Sequence, residues 1–364
     1  MPKAIIAMSG GVDSTVAAAL ISEKGYDCMG VTMKLYEATD VGISEESGCC
    51  SLDDIEDAKR VAAKLDIPFQ VVNFSDMFKS KVIGNFIDCY ENGLTPNPCI
   101  ECNRYLKFNR LFELMRELSY DYVVTGHYAR IKYNEATCRY ELLRALDKSK
   151  DQSYVLYSLT QEQLKHAIFP LGSLKKEQAR ELAETNGFVN ADKPDSQDVC
   201  FVPDGKYADF IRRYTGKQYE PGYFVDLEGN ILGEHKGIIN YTIGQRKGLG
   251  IPGQNPWYVV KLDMKKNQVI LGTNEDLFTS SLEADRVNLI SVSSINEPMK
   301  VSAKVRYRQE AQPAVVSMLD NGRIKVEFTE PQRAITRGQS VVLYDGDVVV
   351  GGGIIVKTEV RDYE

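Results

Sequence analysis

The chain has 364 residues, enough for two or three domains, with 43% hydrophobic and 26% charged residues, the balance of a water-soluble globular protein. No apolar run is long enough to cross a bilayer, and Met1-Pro2-Lys3 leads straight into a strand without a signal-peptide region, so a cytoplasmic site is expected. A net charge of −7 excludes a generally basic coat for nucleic acid but not a local basic face.

In chain order, residues 4–8 read as a buried strand and residues 12–24 as a helix stopped by Gly25. A second strand is expected at 29–34, a third at 69–74 and a later one at 122–125. Ser51 is a candidate cap for a helix that is acidic in its first turn (Asp53, Asp54) and basic later (Lys59, Arg60, Lys64). The acidic run from 45 to 57 reads as a solvated loop and helix start. Strands separated by helices predict a doubly wound parallel sheet, interrupted at Thr95-Pro96-Asn97-Pro98, where two prolines force a loop.

After Gly205 the pattern changes. Residues 224–232 look like a hairpin turning at Gly229-Asn230. From about residue 277, alternating strands (303–307, 314–318, 324–328, 341–344) separated by turns such as Asn321-Gly322 and Asp345-Gly346 suggest a small β-barrel. The expected fold is therefore α/β: a parallel-sheet domain over 1–204, a small β-rich domain over 205–277 and a C-terminal β-barrel over 278–364.

The stretch after the first strand, Ser9-Gly10-Gly11-Val12-Asp13-Ser14, is the sharpest chemical signal. Glycines let backbone N–H groups turn towards phosphate, and the following helix adds free donors and the positive end of its dipole. Asp13 suits Mg²⁺, and Ser9 and Ser14 carry hydroxyl donors. The loop is neither the GKS/GKT type nor G-x-G-x-x-G, and it has no lysine to grip phosphate.

The eight cysteines, with no secretory signal, read as thiols, ligands or nucleophiles. Cys99 and Cys102 form C-x-x-C before the basic stretch Arg104-Tyr105-Leu106-Lys107-Phe108, a setting that favours a thiolate at Cys102. Cys200 lies in Asp195-Ser196-Gln197-Asp198-Val199-Cys200-Phe201. Cys28, Cys49, Cys50, Cys89 and Cys138 have no partner motif. A C-x-x-C pair by itself is equally compatible with zinc, an Fe–S cluster or a redox dithiol. His127 reads as a core histidine rather than a catalytic one.

The SGGVDS segment resembles the pyrophosphatase (PP) loop of the adenine-nucleotide α-hydrolase superfamily, whose members bind ATP so that the α-phosphorus is attacked and pyrophosphate leaves. With NPCIECN and its following KF, Thr125-Gly126-His127-Tyr128-Ala129, residues 147–154, DSQDVCF, Gly244-Gln245-Arg246-Lys247-Gly248 and Val305-Arg306-Tyr307-Arg308, the ordered set resembles the tRNA-specific 2-thiouridylase family across essentially the whole chain. That resemblance implies ATP contacts from Ala7, Met8, Ser9, Gly10, Gly11, Val12, Asp13, Ser14, Met33 and Gly126. It makes Cys102 the nucleophile and Cys200 the persulfide carrier, sets Asn97, Pro98 and Cys99 against the target base, and gives tRNA contacts to Lys150, Asp151, Gln152, Arg306 and Tyr307.

The implied reaction is ATP- and Mg²⁺-dependent 2-thiolation of the wobble uridine in glutamate, glutamine and lysine tRNAs. Sulfur would come from a cysteine desulfurase or a relay protein; a monomer is expected from the sequence itself, which advertises no isolated apolar face or heptad run as a partner surface. Part of the family carries aspartate at the position of Cys99. The form with three cysteines, here Cys99, Cys102 and Cys200, is associated with a 4Fe–4S cluster, which would compete with the persulfide roles. Two other readings are a PP-loop ligase that adenylates a carboxylate or amide for attack by an amine, and a nucleotide-gated binding module.

Overall fold

The computed structural model describes residues 1–37, 52–194, 199–253 and 255–358. Ser51, Cys49, Cys50, the acidic residues before 52 and residues 195–198 of the DSQDVCF motif lie outside the described residues.

Strands β1 (Lys3–Ala7), β2 (Asp27–Lys34), β3 (Phe69–Asn73), β4 (Tyr122–Val124) and β7 (Ala167–Ile168) form one all-parallel sheet in the order β3-β2-β1-β4-β7. Alternation along β1 shows why both faces are covered. Ile5 enters one core, while Ala4 and Ile6 enter another with helix α1 (Val12–Glu23). Helix α1 is apolar on most sides because it is sandwiched: Val16 and Ala17 share a core with Ala179 and Ala183 of a later helix, Lys176–Thr185. Gly25, at φ 78, follows the helix end where a left-handed residue is wanted.

Strands β8 (Gly222–Val225), β9 (Ile231–His235), β10 (Tyr258–Asp263) and β11 (Gln268–Gly272) make a separate four-stranded sheet with its own small core of Phe224, Val259, Val269 and Leu271. The β8–β9 hairpin turns through Gly229 at φ 88, as the Gly-Asn pair requires.

The last sheet closes. Strands β12 (Phe278–Leu289), β13 (Met299–Lys304), β14 (Gln312–Met318), β15 (Ile324–Arg333), β16 (Ser340–Asp345) and β17 (Val348–Thr358) run β12-β15-β14-β13-β16-β17, and β12 pairs back with β17. Closure removes the open edges and encloses Val301, Ala303, Val316, Val326 and Val341.

Two features differ from the sequence expectation. Strand β13 ends at Lys304, so Arg306 and Tyr307 lie in a turn, where the Gln309 N–H donates to the Arg306 carbonyl at 3.2 Å. The hairpin β5 (Ala129–Asn134) and β6 (Arg139–Arg144), in the stretch read as part of the first domain, joins the barrel's sheet through β17. Arg139 donates to the Leu289 and Ile290 carbonyls, and Tyr154 Oη donates to the Ser340 carbonyl at 2.7 Å. Parallel-sheet half and barrel are stitched by side chains whose partners lie about 150–190 residues away.

Candidate active site

The glycine loop sits at the carboxyl end of β1, at the start of α1, where open α/β sheets bind ligands. Gly10 has φ +75, and a Cβ there would lie 2.3 Å from the Asp54 carbonyl oxygen, so both conformation and space demand glycine. Gly11 caps α1 in extended backbone. Ser14 is buried; its hydroxyl accepts from the Ser9 N–H at 3.1 Å and donates to the Gly11 carbonyl at 2.9 Å. The expected phosphate donor Ser14 therefore braces the loop, and Ser9 remains exposed. Met8 and Val12 are buried, and the Met8 backbone is held by the sheet: its N–H donates to the Val31 carbonyl at 2.9 Å and its carbonyl accepts from Thr32 Oγ1 at 2.7 Å. Gly126 presses on α1: a Cβ would lie 2.7–2.9 Å from the backbone of Asp13 and Ser14.

Asp13 is the most heavily engaged side chain of the loop. Its Oδ1 accepts from Tyr128 Oη at 2.8 Å, and Lys176 Nζ lies 2.8 and 2.9 Å from its two oxygens. Behind the loop, Asn190 Nδ2 donates to the Gly10 carbonyl and to Thr15 Oγ1, and its own carbonyl oxygen is buried without a partner. Lys193 bridges Asp54 and Asp57; burial opposes its charge, but the two carboxylates win and hold its pKa above the ordinary lysine value. These aspartates belong to the acidic run expected to be solvated, and Asp54 is buried. Lys176, Asn190 and Lys193 were missed in the sequence because no local motif marks them.

The proline loop ends in Asn97, whose side chain caps the short helix Pro98–Cys102 by accepting from the Ile100 N–H. Cys99 stands in the first turn of this helix and is exposed, while Cys102 is at its end, half-buried. The helix-start position expected to favour Cys102 is thus occupied by Cys99. The basic stretch continues as a π-helical segment, Asn103–Arg110, a geometry frequent at functional sites. Both of its arginines are paired: Arg104 with buried Glu101 at 2.9 Å, and Arg110 with Glu113 and Glu117. Cys200 is fixed by Tyr36 Oη, which donates to its carbonyl at 2.8 Å, and by Phe201, which is packed among Phe78, Phe86 and Phe210. Ala7 and Met33 from the sheet, together with Cys102 and Cys200, all pack against one hydrophobic core.

His127 is buried, hydrogen-bonded through Nδ1 to Thr125 Oγ1 at 2.7 Å, and set against Phe108 and Phe169. Burial, with Lys107 adding to it, drives its pKa well below the ordinary value, so it is a neutral core histidine.

The expected RNA-contacting residues divide. Gln152 exchanges two bonds with the backbone of Tyr128, and Asp151 accepts from the Ala145 and Ser153 N–H groups and Ser153 Oγ; both hold the site together. Arg306 turns inward, donating to the Ala334 carbonyl and Thr336 Oγ1. Tyr307 is partly exposed, and burial of the rest, with the negative charges of Asp151 and Cys99 adding to it, raises its pKa. Lys150 is half-buried in the turn before Asp151. A Cβ at Gly244 would lie 3.7 Å from Arg333 Nη1 and 3.9 Å from Arg306 Nη2, so the turn bearing exposed Arg246 and Lys247 meets the barrel's arginines in one basic rim.

Asp13 and a bound pyrophosphate together suit Mg²⁺, which commonly takes one carboxylate and completes its shell with phosphate and water. Among the described residues no three His, Cys, Asp or Glu side chains gather into a metal-holding group.

A glycine loop between a parallel strand and a helix, with a carboxylate at the helix start, defines a nucleotide-binding domain. Residues 2–204 match the family model described as tRNA methyl transferase HUP domain, residues 208–273 the tRNA methyl transferase PRC-barrel domain, and residues 279–355 the aminomethyltransferase β-barrel domain. The chain is 52% identical to the tRNA-specific 2-thiouridylase MnmA of Clostridioides difficile, over 98% of both proteins. It is 50% identical to the protein of that name in Acetivibrio thermocellus, over 97% of this chain and 99% of that one. With the protein of that name in Clostridium acetobutylicum it shares 51% identity over 97% and 99%. The chain belongs to the tRNA-specific 2-thiouridylase family.

Proposed function

We propose that this chain replaces the 2-oxygen of the wobble uridine of tRNA with sulfur, using ATP. The observation that carries the reading is 52% identity, over 98% of both proteins, to a tRNA-specific 2-thiouridylase, in a chain that sets a glycine loop at the start of α1 and keeps Cys102 and Cys200 as half-buried thiols.

Uracil's 2-carbonyl resists substitution because its oxygen is a poor leaving group. The uridine O2 attacks the α-phosphorus of ATP and pyrophosphate leaves, so O2 becomes part of an AMP ester. Loop amides and the start of α1 stabilise the leaving charge. Asp13 would hold Mg²⁺, which when bound spreads the negative charge of the pyrophosphate. Cys200 carries a persulfide, loaded by a cysteine desulfurase or a relay protein. The Cys102 thiolate attacks its inner sulfur, forming a Cys102–Cys200 disulfide and freeing hydrosulfide. Hydrosulfide adds to C2, the C–O bond breaks, and AMP departs with the original oxygen; a thiol reductant reopens the disulfide. No step runs through an iron–sulfur cluster.

The wobble base must leave the anticodon stack to reach this chemistry. Asn97, Pro98 and Cys99 would face it, while Tyr307 and the exposed cations Arg246, Lys247 and Arg308 would take backbone phosphates of glutamate, glutamine or lysine tRNA. Among the described residues no helix is long and apolar enough to cross a membrane.

The test is thiolation of an unmodified glutamate tRNA transcript with ATP, Mg²⁺ and a loaded desulfurase, read as 2-thiouridine by mass spectrometry. Wild type should form it only with ATP; Cys102→Ser and Cys200→Ser should lose it by at least about a hundredfold while still binding ATP. Pyrophosphate release without sulfur incorporation would instead indicate an amine-consuming ligase.

A further inference from the structure

The glycine loop contains no cation, yet the leaving group it is shaped for carries several negative charges. The fold supplies one from elsewhere. Lys176 stands 163 residues from Asp13 in sequence, at the first position of the helix Lys176–Thr185, and is only 6% exposed. Its Nζ lies 2.8 and 2.9 Å from the two oxygens of Asp13 and 5.8 Å from the centroid of the Tyr128 ring. Its backbone is pinned, because the Lys176 N–H donates to Asp147 Oδ2 at 3.1 Å. The helix behind it shares a core with α1 through Ala179 and Ala183. A buried ammonium is thus delivered to the mouth of the loop by a rigid element, on a flexible four-carbon stem with three donors.

We propose that Lys176 is the phosphate-binding cation that the loop lacks, and that Asp13 holds it in place until nucleotide arrives. This rests on the ATP reading above and assigns a further residue to that site. Asp13 is committed twice: it is the carboxylate suited to Mg²⁺, and it already accepts from Tyr128 Oη and Lys176. A metal on Asp13 removes the negative charge that retains the ammonium. The pyrophosphate portion of ATP, drawn to the same helix start, is then the anion that the ammonium meets on its flexible four-carbon stem. Tyr128 Oη continues to orient Asp13 through the exchange.

The inference is tested on the full chain by calorimetric titration with ATP, inorganic pyrophosphate and AMP, with and without Mg²⁺, using wild type, Lys176→Met, Lys176→Arg and Asp13→Asn. Circular dichroism confirms that each variant is folded. With Mg²⁺, Lys176→Met should bind ATP and pyrophosphate at least about tenfold more weakly, and AMP within about twofold, since one charge-assisted bond to phosphate is lost. Lys176→Arg should recover most of that loss. Without Mg²⁺, Asp13→Asn should bind pyrophosphate severalfold more tightly than wild type, because the lysine is no longer retained. A folded Lys176→Met that binds pyrophosphate like wild type, or that loses pyrophosphate and AMP equally, overturns the inference. If wild type binds neither ATP nor pyrophosphate, the nucleotide reading falls with it. If the binding pattern holds but no tRNA is thiolated, Lys176 keeps this role and the thiolation reading fails.

Discussion

Gln339 of the barrel donates through Nε2 to the carbonyls of Thr95 and Pro96, each at 3.0 Å. The Thr95 N–H in turn donates to the Arg337 carbonyl at 2.9 Å. The loop leading into the cysteine helix is therefore shaped by a segment some 240 residues later in the chain. Gln339→Leu should destabilise the protein by about 1–2 kcal/mol. Because the residue positions that loop and not the nucleotide, kcat/KM for tRNA thiolation should fall about tenfold while calorimetric ATP affinity stays within about twofold.

Gly126 touches the backbone of Asp13 and Ser14, so Gly126→Ala forces main chain against main chain, not a side chain that can swing away. ATP affinity should drop more than about tenfold, with a loss of about 1–3 kcal/mol in stability. Titration with ATP and a urea melt measure the two effects separately.

His127 ties stability to pH. Its native pKa is depressed by burial, so below about 6.5 the unfolded chain takes up a proton that the folded chain refuses. Its contribution is complete above that pH and is lost on acidification towards the depressed native value, at about 1.4 kcal/mol per pH unit. Urea unfolding of wild type and His127→Gln between pH 7.5 and 5 should show a shallower pH slope in the variant.

Glu101 is 5% exposed and pairs with Arg104. Glu101→Ala leaves the guanidinium half of the pair in a poorly hydrated site and should cost about 3 kcal/mol. Glu101→Ala combined with Arg104→Met should restore at least half of that in a chemical melt, since no unpaired charge remains.

The phosphate loop could be read from its own residues because its chemistry is local: an apolar strand, two glycines and an amphiphilic helix start stand within a dozen positions. The parallel sheet and the barrel were readable for the same reason, through strand length and turn spacing. What escaped was contributed at long range. Lys176 and Lys193 look like ordinary surface lysines in sequence, and only the packing of the sheet's last helix against α1 carries them to Asp13 and Asp54. Arg306 reads as an RNA-facing base beside Tyr307, but the chain turns after Lys304 and folds its guanidinium back onto Ala334. Asp151 and Gln152, charged and polar in a loop, are held by internal bonds that no neighbour in the sequence announces.

The hairpin of β5 and β6 leaves the ATP-binding half one residue after Tyr128 and ends on the barrel's last strand. Domain recombination has to respect that seam. A barrel borrowed from a relative and joined near residue 278 would meet a hairpin evolved for a different surface, with Arg139 and Tyr154 facing the wrong carbonyls. A working chimera would transplant the segment from Ala129 to Gln161 along with the barrel, so the heritable unit for exchanging the barrel is discontinuous in the gene.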